Sequence, residues 1–252
     1  MNRIQTPATC TLTRDDLLRW LREEDESRLE QLWTMADETR RRHVGDAVHL
    51  RGLIEISNHC VRECGYCGLR AANRSLRRYR MTADEIMACT AAAVEFGYGT
   101  VVLQSGEDDG IRQQWLADIV RKIKSDTDLA VTLSLGERPY EDLAAWRMAG
   151  ADRYLLRFET SDPTLYRLIH PSRPGRASDR FAILNKLREL GYEVGSGVMI
   201  GIPGQSYDSL ADDLEAFRRL DLDMIGVGPY ISHPATPLAK HPDLRPILPD
   251  QQ

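Results

Sequence analysis

Apolar positions recur at helical spacing through residues 13–43, with Leu17, Leu18, Leu21, Leu29, Leu32, Trp33 and Met35 on the repeat. That spacing predicts a helical N-terminal extension. From residue 50 the pattern changes to short apolar runs alternating with helical stretches. The strand candidates are "LRGLIEIS" (50–57), "TVVLQSG" (100–106), "AVTLSLG" (130–136), "DRYLLRFE" (152–159), "EVGSGVMIG" (193–201) and "DMIGVGPY" (223–230). Helices are expected between them at 82–97, 112–124, 139–149, 178–190 and 207–220. Several end in glycine, as in "EFGYG", "MAGAD" and "ELGYE", the usual chemistry of a helix C-terminus before a strand. "TADE" at 82–85 has the spacing of a capping box.

Repeated strand–helix units predict an α/β fold with a parallel sheet and right-handed crossovers. Six units can form an open doubly wound sheet or part of a (β/α) barrel. Alternate residues of a strand face opposite sides. One alternate set here is polar, charged or glycine: Val102, Gln104 and Gly106; Thr132, Ser134 and Gly136; Arg153, Leu155, Arg157 and Glu159; Gly195, Gly197, Met199 and Gly201; Met224, Gly226 and Gly228. A sheet covered by helices on both faces reads as near-continuous Val, Ile and Leu. The pattern therefore favours a TIM-type barrel, about six βα units long, with a hollow interior that holds a ligand.

Composition narrows the partners. The 252 residues carry a net charge of −5, which argues against nucleic acid or an anionic membrane surface. No run approaches the roughly 18 apolar residues of a spanning helix, and the N-terminus lacks a signal-peptide core. A cytoplasmic, reducing location is expected, where clustered cysteines bind metal or react rather than form disulfides. The basic runs Arg40–Arg42 and Arg77, Arg78 and Arg80 read as solvated faces. Of the five cysteines, Cys10 reads as part of a loose terminus and Cys89 as a small core residue.

The other three are Cys60, Cys64 and Cys67, in "NHCVRECGYC" directly after the first strand. In parallel barrels that is the end where active sites are built. Three thiolates can hold three irons of a four-iron cluster and leave one iron open to a substrate or cofactor. A Cys3His zinc site, with His59 or His49 as fourth ligand, is the other reading of the same residues.

Cys-x3-Cys-x2-Cys with an aromatic residue before the third cysteine, here Tyr66, resembles the signature of the radical S-adenosylmethionine (SAM) enzymes. The resemblance implies a 4Fe–4S cluster on Cys60, Cys64 and Cys67, with SAM bound at the open iron and cleaved to a 5′-deoxyadenosyl radical. "QSGED" resembles the family's Gly-Gly-Glu motif, with Ser105 replacing its first glycine. It implies SAM contacts from Gln104, Ser105, Gly106 and Glu107, the glutamate receiving the methionine amino group. "GSGVMIGIPGQS" and "IGVGPY" resemble the segments beside adenine, implying Gly197, Ile200 and Gly228. Glu159 and Arg180 resemble the polar partners of the ribose and the methionine carboxylate.

Within that superfamily the chain resembles FeFe-hydrogenase maturases of the HydE type, through "CGLR", "RYRMT", "VVLQSGED", "TLSLGE", "GADRYLLRFET", "GIPGQ" and "HPATPLA". Methylornithine synthase and biotin synthase are relatives on the same plan. The resemblance implies a small-molecule or organometallic substrate at Thr132, Arg153 and Met224. It also implies an electron donor such as flavodoxin or ferredoxin, and other hydrogenase maturases as partners. A methylornithine synthase- or biotin synthase-like enzyme, or a non-catalytic cluster or zinc protein, are the alternatives. The expected organisation is a helical extension, 1–48, and a barrel core, 49–252. The family plan implies about another hundred residues carrying two further barrel units, so the chain is expected to be a fragment, a truncated product or a short form.

Overall fold

The computed structural model describes residues 12–173 and 178–240; Cys10 lies outside them. Its strands are β1 (Gly52–Ser57), β2 (Thr100–Ser105), β3 (Ala130–Ser134), β4 (Arg153–Leu155), β5 (Glu193–Ile200) and β6 (Met224–Pro229). They pair in chain order, each parallel to the next, in one six-stranded sheet. The connecting helices are α3 (Ala83–Glu95), α4 (Gln113–Asp126), α5 (Tyr140–Met148), α6 (Pro163–Ile169), α7 (Arg180–Glu189) and α8 (Tyr207–Leu220).

The sheet is curled. Arg51, just before β1, reaches its Nη1 to within 3.2 Å of the Met224 sulfur at the start of β6. In a flat six-stranded sheet those two strands would stand about 24 Å apart. The first and last strands therefore approach at their N-terminal ends, as they do in a partial TIM barrel. Ile54, Ile56, Val101, Leu103, Val131, Leu133, Tyr154 and Leu156 point outward into a core shared with helix residues such as Ile86, Leu116, Val120, Trp146 and Leu187. The opposite set faces the interior. A Cβ built on Gly195 would meet Leu155 and Met224, and the inward Leu53 is 56% exposed.

Local chemistry explains most boundaries. Thr82 and Glu85 form the expected capping box of α3, and Gly97, Gly150 and Gly191 end their helices at positive φ. Three expectations change. The N-terminal helix is two helices, α1 (Arg14–Leu21) and α2 (Glu26–Val44); Asp25 caps the second by accepting from Ser27 and Arg28, a better use of Asp than a mid-helix site. β4 stops at Leu155 although its alternation continues through Leu156 and Phe158, because the Ser196 hydroxyl donates to the Leu156 carbonyl and accepts the Phe158 N–H in place of the backbone ladder; the chain then turns at Glu159, whose φ is +65°. Helix α6 was not expected, yet Asp162 caps it and Pro163 opens it, a start signal readable in the sequence.

Helix α1 sits on α8 through Arg14, which pairs with Asp208 and Asp212. Helix α2 buries no residue among those described, and Trp33 and Met35 are exposed. Cys89 is exposed on α3 rather than buried in the core. No helix among the described residues is long and apolar enough to cross a membrane.

Candidate cluster and cofactor site

The cysteine loop leaves β1 and folds onto the C-terminal end of β2. Ser57 Oγ donates to Asp108 Oδ2 at 2.7 Å and accepts from the His59 N–H at 3.1 Å. Val61 N–H donates to the Glu107 carbonyl, and Gly65 N–H to that of Ile169. Gly106 is required by proximity: a Cβ there would lie 2.3 Å from the His59 carbonyl oxygen. Arg78 donates to the carbonyls of Leu69 and Arg70, both at 2.8 Å, and Arg80 grips Asp108 with two bonds. The basic run at 77–80 thus supplies loop braces at Arg78 and Arg80, not a solvated face. Arg40 and Arg41 pair with Asp37 and Asp46.

Cys64 is buried, while Cys60 and Cys67 are half-buried. Burial pushes the Cys64 thiol up to about 12; Arg180 and Arg62 pull it down, and the neighbouring Cys60 and Cys67 push it further up. Cys67 is raised chiefly by burial as well. Such thiols stay protonated until a metal displaces the proton. No three His, Cys, Asp or Glu groups among the described residues converge on one ion position; a cluster that gives each thiolate its own iron does not need that convergence. His49, one of the two imidazoles weighed for zinc, lines a cavity at the other end of the barrel.

Around the loop stands a set of buried charges. Tyr66 donates to Glu159 Oε1 at 3.2 Å, and Arg157 Nε lies 3.3 Å from Glu159 Oε2. Burial, with Glu159 alongside, lifts the Tyr66 hydroxyl well above its ordinary range. Glu107 faces Arg62 Nε at 2.9 Å and accepts the Glu137 N–H at 3.0 Å. The glutamate expected to receive an amino group is therefore already in contact with protein donors through both oxygens. Arg180 is held by Glu137, by the Arg157 carbonyl and by His170 Nε2. Among the described residues, three of its five N–H donors are engaged and two remain. Burial, then Arg180 and Arg62, pushes His170 down to about 2, so its ring is neutral and Nε2 accepts.

The other expected SAM residues lie at the same end. Gln104 and Ser105 close β2, with Gln104 Nε2 3.4 Å from Glu55 Oε1. Gly197, Ile200 and Gly228 lie on the last halves of β5 and β6. Gly197 cannot be replaced without movement, since its Cβ would sit 2.0 Å from the Gly226 carbonyl oxygen. The expected substrate residues lie deeper. Thr132 pairs in register with Arg153, and its buried hydroxyl has no partner among the described residues. Arg153 pairs with Glu193 and reaches Thr100 Oγ1 at 3.4 Å. Met224 begins β6 beside Arg51. Arg51, Thr100 and Arg153 border a cavity of about 460 Å³.

Residues that the sequence did not single out complete the site: Arg62, Asp108, Glu137 and His170. Arg62 stands inside the cysteine motif and Glu137 inside "SLGE", but only the fold shows that they meet.

The radical SAM superfamily model matches residues 54–217. The chain belongs to this superfamily. It is 50% identical over 227 residues to the [FeFe] hydrogenase maturase subunit HydE of Thermotoga maritima, covering 90% of this chain and 64% of that protein. It is 27% identical over 231 residues to 3-methylornithine synthase of Methanosarcina acetivorans, covering 91% of this chain and 65% of that one. The chain thus spans just under two thirds of these relatives. The solved structure of methylornithine synthase (PylB) superposes with a TM-score of 0.84 at 28% identity, covering 93% of this chain and 69% of that one. The hydrogenase maturase HydG shares the fold at TM-score 0.79, with 22% identity, covering 92% of this chain and 54% of that one.

The residues present fit the cofactors of such a protein. Three thiols sit on one braced loop, Cys89 lies apart on α3, and the buried Arg180 keeps two donors without a partner among the described residues, beside Cys64, for an anionic group.

Proposed function

We propose that this chain is the cluster- and SAM-binding barrel core, 49–252, of a radical SAM enzyme that acts in FeFe-hydrogenase maturation as a HydE-type protein, with residues 1–48 as a helical extension. The observation that carries the reading is the braced Cys60–Cys64–Cys67 loop at the C-terminal ends of the strands, in a chain half identical to HydE over 90% of its length. The three thiolates would ligate three irons of a 4Fe–4S cluster and leave the fourth for SAM. When bound, these groups supply a one-electron cleavage of SAM to methionine and a 5′-deoxyadenosyl radical.

The chain's own residues bind and orient. Gln104, Ser105, Gly106 and Glu107 border the methionine end, and the two remaining donors of Arg180 suit its carboxylate. Glu159 accepts from the ribose hydroxyls, with Tyr66 fixing its carboxylate. Gly197, Ile200 and Gly228 present backbone to the adenine; the missing side chain at Gly228 lets a flat ring approach, and that at Gly197 makes room for the Gly226 carbonyl of β6. Thr132, Arg153 and Met224 face a small or organometallic substrate deep in the barrel. Flavodoxin or ferredoxin would deliver the electron in the cytoplasm, and the other hydrogenase maturases are the expected partners.

Two measurements test the reading. After anaerobic reconstitution, dithionite and SAM should yield 5′-deoxyadenosine, and Cys64→Ala should abolish both the cluster signal and the product. Turnover by Cys64→Ala would sink the cluster assignment. Co-expression of the full-length protein with hydrogenase and the other maturases tests the pathway; active hydrogenase in its absence would exclude that role. The close superposition on methylornithine synthase supports a second reading, in which the same radical rearranges an amino acid.

A further inference from the structure

The contacts around Arg180 give Glu137 a role of its own. We propose that Glu137 is a positioning residue, which aims Arg180 at the SAM carboxylate and couples that arginine to the cluster loop through Arg62. The inference rests on the reading of Arg180 as a SAM-binding residue.

One carboxylate oxygen, Glu137 Oε1, gathers three donors. Arg180 Nε lies at 3.0 Å, Ser178 Oγ at 2.6 Å and Arg62 Nη2 at 2.5 Å. Arg62 stands between Cys60 and Cys64, so a single oxygen ties the cluster loop to α7. Both guanidiniums are deeply buried, and their positive charges depress the Glu137 carboxyl against the upward push of burial. Two cations meeting at one point without that carboxylate would repel strongly in a low-dielectric setting.

Glu137 is itself rigidly held. Its N–H donates to Glu107 Oε2 at 3.0 Å. The next residue, Arg138, donates to the carbonyls of Asp108 (2.8 Å) and Ile111 (2.7 Å), pairs with Asp142, and lies 5.1 Å from the Trp146 ring centroid. With Arg157 O and His170 Nε2 holding the other two nitrogens of Arg180, the guanidinium plane is fixed from three sides. A supporting shell of this kind sets ligand orientation as outer-shell partners do in metal sites.

Replacing the charge has two separable consequences. Arg180 loses its Nε anchor, so SAM affinity falls. The region beside the cluster gains positive charge, which favours the more negative reduced cluster and raises its potential. A purely structural residue would lower thermal stability without either effect.

The test uses the reconstituted full chain as wild type, Glu137→Gln, Glu137→Asp and Arg180→Gln. Iron content, the cluster midpoint potential without SAM, and SAM affinity by equilibrium dialysis are measured. Glu137→Gln is expected to load iron as the wild type does, to bind SAM roughly tenfold more weakly, the worth of one charge-assisted hydrogen bond, and to shift the potential upward. Glu137→Asp keeps the charge but is one methylene shorter, so it should hold the wild-type potential while weakening SAM binding. Should Glu137→Gln fail to take up iron, Glu137→Asp decides: wild-type SAM affinity there overturns the proposal. Wild-type affinity and potential in Glu137→Gln, with weak binding in Arg180→Gln, overturn Glu137's role and leave the Arg180 reading intact. Wild-type affinity in Arg180→Gln, or no SAM binding by the wild type, removes the underlying reading and the proposal with it.

Discussion

Gly106 lies so close under His59 that a Cβ there would be 2.3 Å from its carbonyl oxygen and 2.8 Å from Cys60 Cβ. Both obstacles belong to the segment that starts the cysteine loop, and one is backbone, which cannot rotate away. Gly106→Ala must therefore push Cys60 off its position. Overpacking of this kind costs about 1–3 kcal/mol. The variant is expected to remain folded by circular dichroism, with a lowered Tm, and to retain well under half the wild-type iron after reconstitution. Wild-type iron content would show that the loop is free to shift.

Arg78 predicts a different failure. Its two Nη atoms bind the carbonyls of Leu69 and Arg70, the second of which also accepts the Asn73 N–H. Arg78→Ala leaves these acceptors without the cation and should cost about 2 kcal/mol in urea unfolding. Arg78→Lys should recover little, because an ammonium lacks the planar fork. Limited proteolysis within residues 68–77 should accelerate in both variants.

The six strands and their parallel, barrel-like sheet were legible because alternation and glycine placement are local signals that burial on one face imposes. The three cysteines were legible because their spacing is itself local. Arg62, Glu137 and His170 were not: they are 33 or more residues apart, and although Arg62 lies in the cysteine motif and Glu137 in "SLGE", no local signal says that they meet. They meet only because β1, β3 and α6 end at the same rim. The short β4 was missed for a related reason. Its hydrophobic alternation runs on through Phe158, while the Ser196 side chain of β5, from another segment, takes the Leu156 carbonyl and the Phe158 N–H in place of the ladder.

Asp213 gives the pH dependence a distinctive component. Burial raises its carboxyl from 3.8 to about 6, against the pull of the Ser161 N–H and hydroxyl and the Thr160 hydroxyl. An acid whose folded value lies above its unfolded one keeps a proton that the unfolded chain releases. Its contribution to stability is therefore full below about pH 4 and lost as pH rises to about 6. Asp213→Asn retains an acceptor for Ser161 without titrating. Relative to wild type it should gain up to about 3 kcal/mol between pH 4 and pH 6.5, then hold constant. Asp213→Ala, lacking the acceptor, should be less stable throughout. Urea midpoints at pH 4.5 and 7.5 separate these outcomes, and a gain that ran the other way would contradict the assignment.

Glu159 combines strain with contact. Its φ of +65° costs a side-chain-bearing residue about 1–2 kcal/mol, offset by Tyr66 at 3.2 Å and Arg157 at 3.3 Å. Glu159→Ala loses both contacts and keeps the strained backbone. Glu159→Gly loses the same contacts but relieves the strain, so it should be the more stable of the two by about 1 kcal/mol, even though glycine has the larger unfolded-state entropy. Both should bind SAM equally poorly, since neither offers a carboxylate to the ribose. Urea unfolding paired with SAM dialysis distinguishes the terms. Equal stability of the two variants would mean that the turn relaxes once the carboxylate is gone, and that Tyr66 and Arg157, rather than the backbone bonds of residue 159 to Gly197 and Met199 of β5, hold residue 159 in its left-handed conformation.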